Sequence, residues 1–307
     1  MKDRPQKQSE QHEDGGVVAV GVSGGVDSSV AALMLRREGR KVVGVSHRVW
    51  SSSSNPHVVA EVRAEAVCRD LGIPFYSIDI AGEFRRRIID DFVRRYEEGL
   101  TPNPCVLCNE QIKFGLFPRL VRERLEQEGL LTPEEPLYTA TGHYVRRIEK
   151  NGRTFLARAA DRSKDQSYML YRVEPEILPR CIFPLGDYSK DEVVRIAGKE
   201  GLPTAGVGES QDICFIEGSY VEYIEEYLGY SGEPGPIEDP VGRRLGTHRG
   251  YMNYTVGQRQ GLGLSDGPWY VASIEAERNA VIVTRRDELG KRGFSVGGLH
   301  LMDRCSS

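Results

Sequence analysis

The run VVAVGV (residues 17–22) passes directly into Ser23-Gly24-Gly25-Val26-Asp27-Ser28-Ser29 and from there into a helical pattern that lasts to Arg37. A buried strand, a glycine-rich turn and a helix in that order make a ready anion site. Two adjacent glycines let backbone N–H groups approach a phosphate, and the positive end of the helix adds to the attraction. Ser23, Ser28 and Ser29 can donate hydroxyl hydrogen bonds to phosphate oxygens. It is not a Walker A loop, because the GK[ST] ending is missing and no lysine reaches the phosphates. The GxGxxG spacing of a dinucleotide site is also absent. The bland alternative is a Gly-Gly turn capped by an aspartate, and the strand–loop–helix setting favours the anion site over it.

Downstream, short β-type runs alternate with helical ones, the pattern of a doubly wound α/β fold with a parallel sheet. KVVGVSHRVW (41–50), PFYSIDI (74–80) and LYTATGHY (137–144) read as strands. Residues 57–71, 82–98 and 109–128 read as helices, with Pro118 kinking the last. The serines at 51–54 form a polar loop. After Gly201 glycine and proline cluster, which places a boundary near residue 216, followed by a small β-rich domain. The first 16 residues are polar and read as a disordered tail.

A length of 307 residues suits two domains, and a net charge of −4 argues against indiscriminate nucleic-acid binding. Charge is uneven all the same. Seven Lys or Arg residues lie between Arg146 and Lys164, and Arg85, Arg86, Arg87, Arg94 and Arg95 form a second group. Taken singly, each cluster is a solvated face, and a local phosphate-binding face remains compatible with both. No apolar run can cross a bilayer and no secretory signal is present, so the expected location is the cytoplasm. Six cysteines there are not structural disulfides. Cys68, Cys181 and Cys305 look solitary. Cys105 and Cys108 form a CxxC, and Cys214 sits in the apolar stretch Ile213–Ile216.

SGGVDSS resembles the pyrophosphate loop of the ATP-pyrophosphatase superfamily, which implies that ATP is cut between its α- and β-phosphates. The motifs TPNP (101–104), Cys108-Asn109, Ile112-Lys113-Phe114, TGHY (141–144), KDQSY (164–168), ICFI (213–216) and GQRQGLG (257–263) follow in order. Together they resemble the tRNA-specific 2-thiouridylases. That resemblance implies a sheet of the ATP-pyrophosphatase type over 17–215, a small central domain over 216–282 and the beginning of a C-terminal β-barrel over 283–307. It also implies that Gly21, Val22, Ser23, Gly24, Gly25, Val26, Asp27, Ser28 and Gly142 contact ATP, with Mg²⁺ balancing phosphate charge. His47 stands where the family places a methionine by the adenine. Asn103, Pro104 and Cys105 fall at the target base, and His143, Lys164, Asp165 and Gln166 at the tRNA. Cys108 matches the nucleophile and Cys214 the cysteine that carries a persulfide, which implies a persulfide donor protein as partner.

One departure opens a second reading. Cys105 replaces the family's aspartate, so Cys105, Cys108 and Cys214 resemble the trio that holds a [4Fe–4S] cluster in related thiolases. Two further alternatives stay open: a ligase or amidotransferase that uses the loop on a small molecule, and an RNA-binding module with a structural zinc at the three cysteines.

Overall fold

The computed structural model describes residues 15–49, 56–208, 213–290 and 293–298. Most of the expected N-terminal tail, the serine run 51–54 and the end of the expected barrel segment lie outside the described residues.

The chain opens β1 (Val17–Gly21), α1 (Val26–Arg37), β2 (Lys41–Arg48), α2 (Pro56–Leu71) and β3 (Phe75–Asp79). The short α3 (Ala81–Phe84), a π turn (Arg85–Ile89) and α4 (Asp90–Glu97) follow, then α5 (Pro104–Cys108), a second π segment (Asn109–Leu116) and α6 (Phe117–Gln127). Next come β4 (Leu137–Ala140), the hairpin β5 (Val145–Lys150) and β6 (Arg153–Arg158), β7 (Cys181–Ile182) and α7 (Lys190–Lys199). The last elements are α8 (Tyr220–Leu228), β8 (Gly235–Glu238), β9 (Arg244–His248), β10 (Tyr270–Glu275) and β11 (Ala280–Thr284). The described residues divide into two compact units, one of those up to 85 and from 105 to 208, the other of 86–104 and those from 213 to 298.

The first unit is built on a five-stranded sheet of order β3-β2-β1-β4-β7, parallel at every pairing. Alternation along β1 explains how it is covered on both faces. Val18 and Val20 join a cluster with Val30, Ala31, Val67 and Val193 from α1, α2 and α7. Val17 and Ala19 point the other way, into a cluster with Phe117, Val121 and Leu125 of α6. Because β2 and β4 flank β1, successive connections leave in opposite directions, and a crevice opens at the carboxyl ends of β1 and β4.

The expected kink at Pro118 takes a different form. The π segment ends at Leu116, and Pro118 falls in the first turn of α6. The chain stays helical across Leu116 and Phe117, so the proline sits where the π segment changes to α6. Gly115 fits the widened turn, where a Cβ would stand 2.7 Å from the Glu110 carbonyl oxygen.

In the second unit β10, β11, β8 and β9 form an open mixed sheet, with β11 parallel to β8 and the other pairings antiparallel. Ile237, Val271, Val281 and Val283 fill its core with Tyr254 and Leu262. Helix α4 packs here through aromatic residues, Tyr96 stacking on Tyr220 at 5.0 Å and Phe92 meeting Phe215 edge-on at 5.4 Å. No helix among the described residues is long and apolar enough to cross a membrane.

Candidate functional site

The loop after β1 lies at the crevice that the sheet order creates. Gly25 is the extended N-cap of α1. Gly24 has φ +74°, and a Cβ on it would lie 2.2 Å from the Ala60 carbonyl oxygen, so both conformation and packing demand glycine. The hydroxyls differ from the sequence expectation. Ser28 Oγ donates to the Gly25 carbonyl at 3.1 Å and accepts from the Ser23 N–H at 3.1 Å, with Ser23 Oγ 3.2 Å away. Ser29 Oγ also donates to the Gly25 carbonyl, at 2.8 Å. Both hydroxyls are turned inside the loop, which leaves the N–H groups of the first turn of α1, without helical acceptors, as candidate anion donors.

Gly142, two residues past β4, closes the crevice from the other side. A Cβ there would sit 2.8 Å from the Ser28 nitrogen. Asp27, the second residue of α1, accepts from the Tyr144 hydroxyl at 2.8 Å. It also receives the ammonium of Lys190, at 2.8 and 2.9 Å from its two oxygens. The loop's own sequence holds no lysine, and this one comes from α7. A Ser-x-x-Glu capping box, Ser189 with Glu192, starts that helix and sets Lys190 at its first position. The box is legible in the sequence, but the approach of α7 to α1 is not. His47, near the end of β2, packs edge-on against Phe117 at 5.5 Å.

From Tyr144 a chain of hydrogen bonds runs to the CxxC helix. The Tyr144 N–H donates to Gln166 Oε1 at 3.0 Å, and His143 Nδ1 lies 3.1 Å from the same oxygen. His143 Nε2 is 3.1 Å from Asn109 Oδ1, and Asn109 Nδ2 donates to the Met169 carbonyl at 3.1 Å. Backbone groups thus orient both amides, and both ring nitrogens face oxygens. A neutral imidazole has one N–H and can satisfy only one of them. Burial, and then the nearby Lys113 charge, nevertheless push the His143 pKa down to about 3, against the Gln166 contact. Asn109 directly follows Cys108, and Cys105 and Cys108 fall within the single short helix α5. Asp165 is turned inward, accepting from the Ala159 N–H and the Ser167 hydroxyl, both at 2.8 Å.

The basic group in the first unit is partly consumed by structure. Arg147 is buried and donates to the Pro179 and Cys181 carbonyls at 2.8 and 3.2 Å. Cys68 and Cys181 are buried, and burial lifts both thiols to about 12, far from reactive thiolates.

The second unit holds Asn103, Pro104 and Cys214, the last exposed. Arg94 pairs with Asp91 and Glu98, and Arg95 with Asp91 at 2.7 Å, so neither is a bare phosphate contact. The GQRQGLG turn is braced by Gln258, which accepts from the Thr255 N–H and donates to the Gln260 carbonyl, both at 2.9 Å. Arg259, Leu262 and Trp269 line a cavity of about 460 Å³ beside it. Sequence reasoning missed this cavity, because Trp269 lies outside the motif.

Family profiles match two stretches of the chain: a tRNA methyl transferase HUP domain over residues 16–218 and a tRNA methyl transferase PRC-barrel domain over 221–285. The tRNA-specific 2-thiouridylase MnmA of Moorella thermoacetica is 44% identical over 89% of this chain and 77% of its own length. That of Chloroflexus aurantiacus is 46% identical over 91% and 78%. Among solved structures, the U34-tRNA thiolase NcsA from Methanococcus maripaludis aligns over 71% of this chain and 66% of its own at 18% identity, with a TM-score of 0.38.

Proposed function

This chain belongs to the tRNA-specific 2-thiouridylase family, and we propose that it exchanges the C2 carbonyl oxygen of the wobble uridine for sulfur through an adenylated base. The observation that carries the reading is the closed phosphate loop, with Gly24 and Gly142 packed to contact, in the same unit as the Asn109-His143-Gln166 network beside Cys108. A methyl donor such as S-adenosylmethionine carries no phosphate and has no use for such a loop. The relatives named as thiouridylases therefore fit the site better than the methyl transferase wording of the profiles.

In the first step the uridine O2 attacks the α-phosphorus of ATP and pyrophosphate leaves with the electron pair of the broken bond. The backbone N–H groups at the start of α1 hold the phosphates. The target base leaves its stack to reach them, presented by Asn103, Pro104 and Cys105, with His143, Lys164 and Gln166 on the tRNA side. In the second step the terminal sulfur of a persulfide on Cys214 attacks C2 and AMP departs. Cys108 thiolate then attacks Cys214 Sγ, which frees the sulfur on the base and leaves a Cys108–Cys214 disulfide for a reductant to reopen. A persulfide-bearing protein supplies the sulfur, and the work takes place in the cytoplasm.

Mg²⁺ carried with ATP would offset the charge of the phosphates. Among the described residues no group of three or more His, Cys, Asp or Glu side chains could hold a metal. No step is routed through zinc or a [4Fe–4S] cluster at Cys105, Cys108 and Cys214. Iron and sulfide analysis after anaerobic purification tests the cluster separately.

The test is reconstitution with tRNA, ATP and a persulfide donor, reading AMP, pyrophosphate and 2-thiouridine. One AMP per 2-thiouridine is expected. Cys108→Ser and Cys214→Ser should each abolish thiolation yet accumulate adenylated tRNA. Normal thiolation by Cys108→Ser would overturn its assigned role, and pyrophosphate release that ignores tRNA would favour the small-molecule ligase.

A further inference from the structure

Lys190 reaches the phosphate loop from 163 residues away in the chain. Its backbone is fixed. The Lys190 N–H donates to Asp161 Oδ2 at 3.1 Å, and the Ser189–Glu192 capping box closes the helix start. Helix α7 therefore offers no anion site of its own, and what it brings to the loop is the lysine side chain. That side chain is 15% exposed and its partner Asp27 is 29% exposed, so the pair sits at the mouth of the crevice rather than in the core.

The placement has an electrostatic consequence. Asp27 puts a negative charge in the first turn of α1, where ATP phosphates must come. Unpaired, it would repel them. With Lys190 on both oxygens, the loop presents a neutral pair to incoming anion. Asp27 does not depend on Lys190 alone, because the Tyr144 hydroxyl holds Oδ1 at 2.8 Å. The ammonium is anchored by a flexible four-carbon stem and can swing, whereas the carboxylate is held by Tyr144 and the helix.

Given the reading of this loop as an ATP site, we infer that Lys190 is its phosphate lysine. It rests on Asp27 in the empty enzyme and reaches the β- and γ-phosphates when ATP arrives while staying beside the carboxylate. As the uridine O2–phosphorus bond forms and the bond from the α-phosphorus to the bridging oxygen breaks, the electron pair leaves on pyrophosphate, next to the ammonium. No proton need move at Lys190. The residue does in trans what the lysine of a Walker A loop does from within its own loop.

Binding of ATP, pyrophosphate and AMP to the full chain tests this, with Lys190→Gln and the double variant Lys190→Gln/Asp27→Asn. In the double variant the loop is neutral again, but without an ammonium. A lysine that grips the outer phosphates predicts that AMP binding recovers to within about twofold of wild type in the double variant. ATP and pyrophosphate should stay weaker by about tenfold or more, the scale of a lost charge-assisted contact. The Lys190→Arg variant should keep part of the ATP affinity. Recovery of ATP and AMP together would show that Lys190 only neutralises Asp27 and would overturn the inference. Failure of the wild-type chain to bind ATP at all would instead sink the ATP-site reading, a separate outcome. Glutamine keeps the stem, and matching thermal melts of the variants exclude a folding defect.

Discussion

The two units each carry a glycine-rich turn and a histidine hydrogen-bonded through both ring nitrogens, and they differ in how much freedom is left. At the phosphate loop a Cβ on Gly24 would meet the Ala60 carbonyl oxygen at 2.2 Å, and one on Gly142 the Ser28 nitrogen at 2.8 Å. In the GQRQGLG turn Gly257 and Gly263 have positive φ, +88° and +63°, but a Cβ there would meet nothing within 4 Å. The first turn needs glycine for contact and the second only for backbone conformation. The histidines repeat the contrast. His248 donates from Nε2 to the Asn279 carbonyl at 2.9 Å and accepts the Gly250 N–H on Nδ1 at 3.0 Å, so a neutral ring satisfies both partners. His143 faces two amide oxygens and cannot. Tight packing and an unsatisfied contact gather where chemistry is proposed, and the relaxed versions lie elsewhere.

The sharpest way to break this comparison is Gly24→Ala. A left-handed alanine costs about 1–2 kcal/mol by itself, and the clash with fixed backbone adds displacement of the loop. Pyrophosphate release should fall by roughly a hundredfold or more, since a shift near 1 Å at a phosphate site costs that much. Near-normal release would mean that the loop is not closed as described. Gly142→Ala should act less severely. Its Cβ presses on the Ser28 nitrogen without a φ penalty, so kcat/KM for ATP should fall by about tenfold, with a lower melting temperature because backbone must give way.

Much of this was legible from residues alone, for reasons that differ by element. β1, α1 and the loop between them follow from local order, because VVAVGV can only be a buried strand and two glycines before a helix invite an anion. The parallel sheet follows from alternation of strands and helices. Strand order does not, since nothing in Leu137–Ala140 says that it pairs with β1 rather than β3. The hydroxyl directions at Ser28 and Ser29 also escaped, because a hydroxyl chooses between phosphate and the Gly25 carbonyl on geometry finer than sequence. Lys190 was invisible for a third reason. Its capping box is local, but its meeting with Asp27 depends on how α7 packs on α1. Asp165 and Gln166 were legible as polar motif residues, whereas their inward hydrogen bonds to Ala159 and Tyr144 were not.

A pH titration sharpens the histidine half of the comparison. Each histidine has a folded pKa below its unfolded value near 6.5, His143 at about 3 and His248 lowered by burial. The unfolded chain therefore takes up protons first as pH falls. Their contribution to stability is complete above pH 6.5 and is lost progressively below it, by up to ~1.4 kcal/mol per pH unit per histidine. Thermal melts between pH 6.5 and 5.5, above the range where most carboxylates titrate, should show the decline. His143→Gln should make it shallower, because a glutamine neither charges nor faces both amides with the same mismatch. An unchanged slope would mean that the ring titrates alike in the folded and unfolded chain, and a steeper one that it already carries the proton at neutral pH, as its two oxygen partners would favour.

The smallest expected effect belongs to the open turn. Gly263→Ala places a methyl in empty space, so only the left-handed backbone resists it, at about 1 kcal/mol. That corresponds to a melting shift of about 4 °C for a unit of this size. Gly263→Asn should cost less still, because asparagine enters the left-handed region more readily. Neither should alter ATP binding, which draws on the other unit's loop. The pair of variants separates the two demands on glycine: conformational cost alone here, conformation plus contact at Gly24. If Gly263→Ala proves as damaging as Gly24→Ala, the turn is gripped by something bound in the neighbouring cavity of Arg259, Leu262 and Trp269, and the contrast between a closed and an open turn fails. A graded result, alanine slightly worse than asparagine and both mild, places the demand in the backbone.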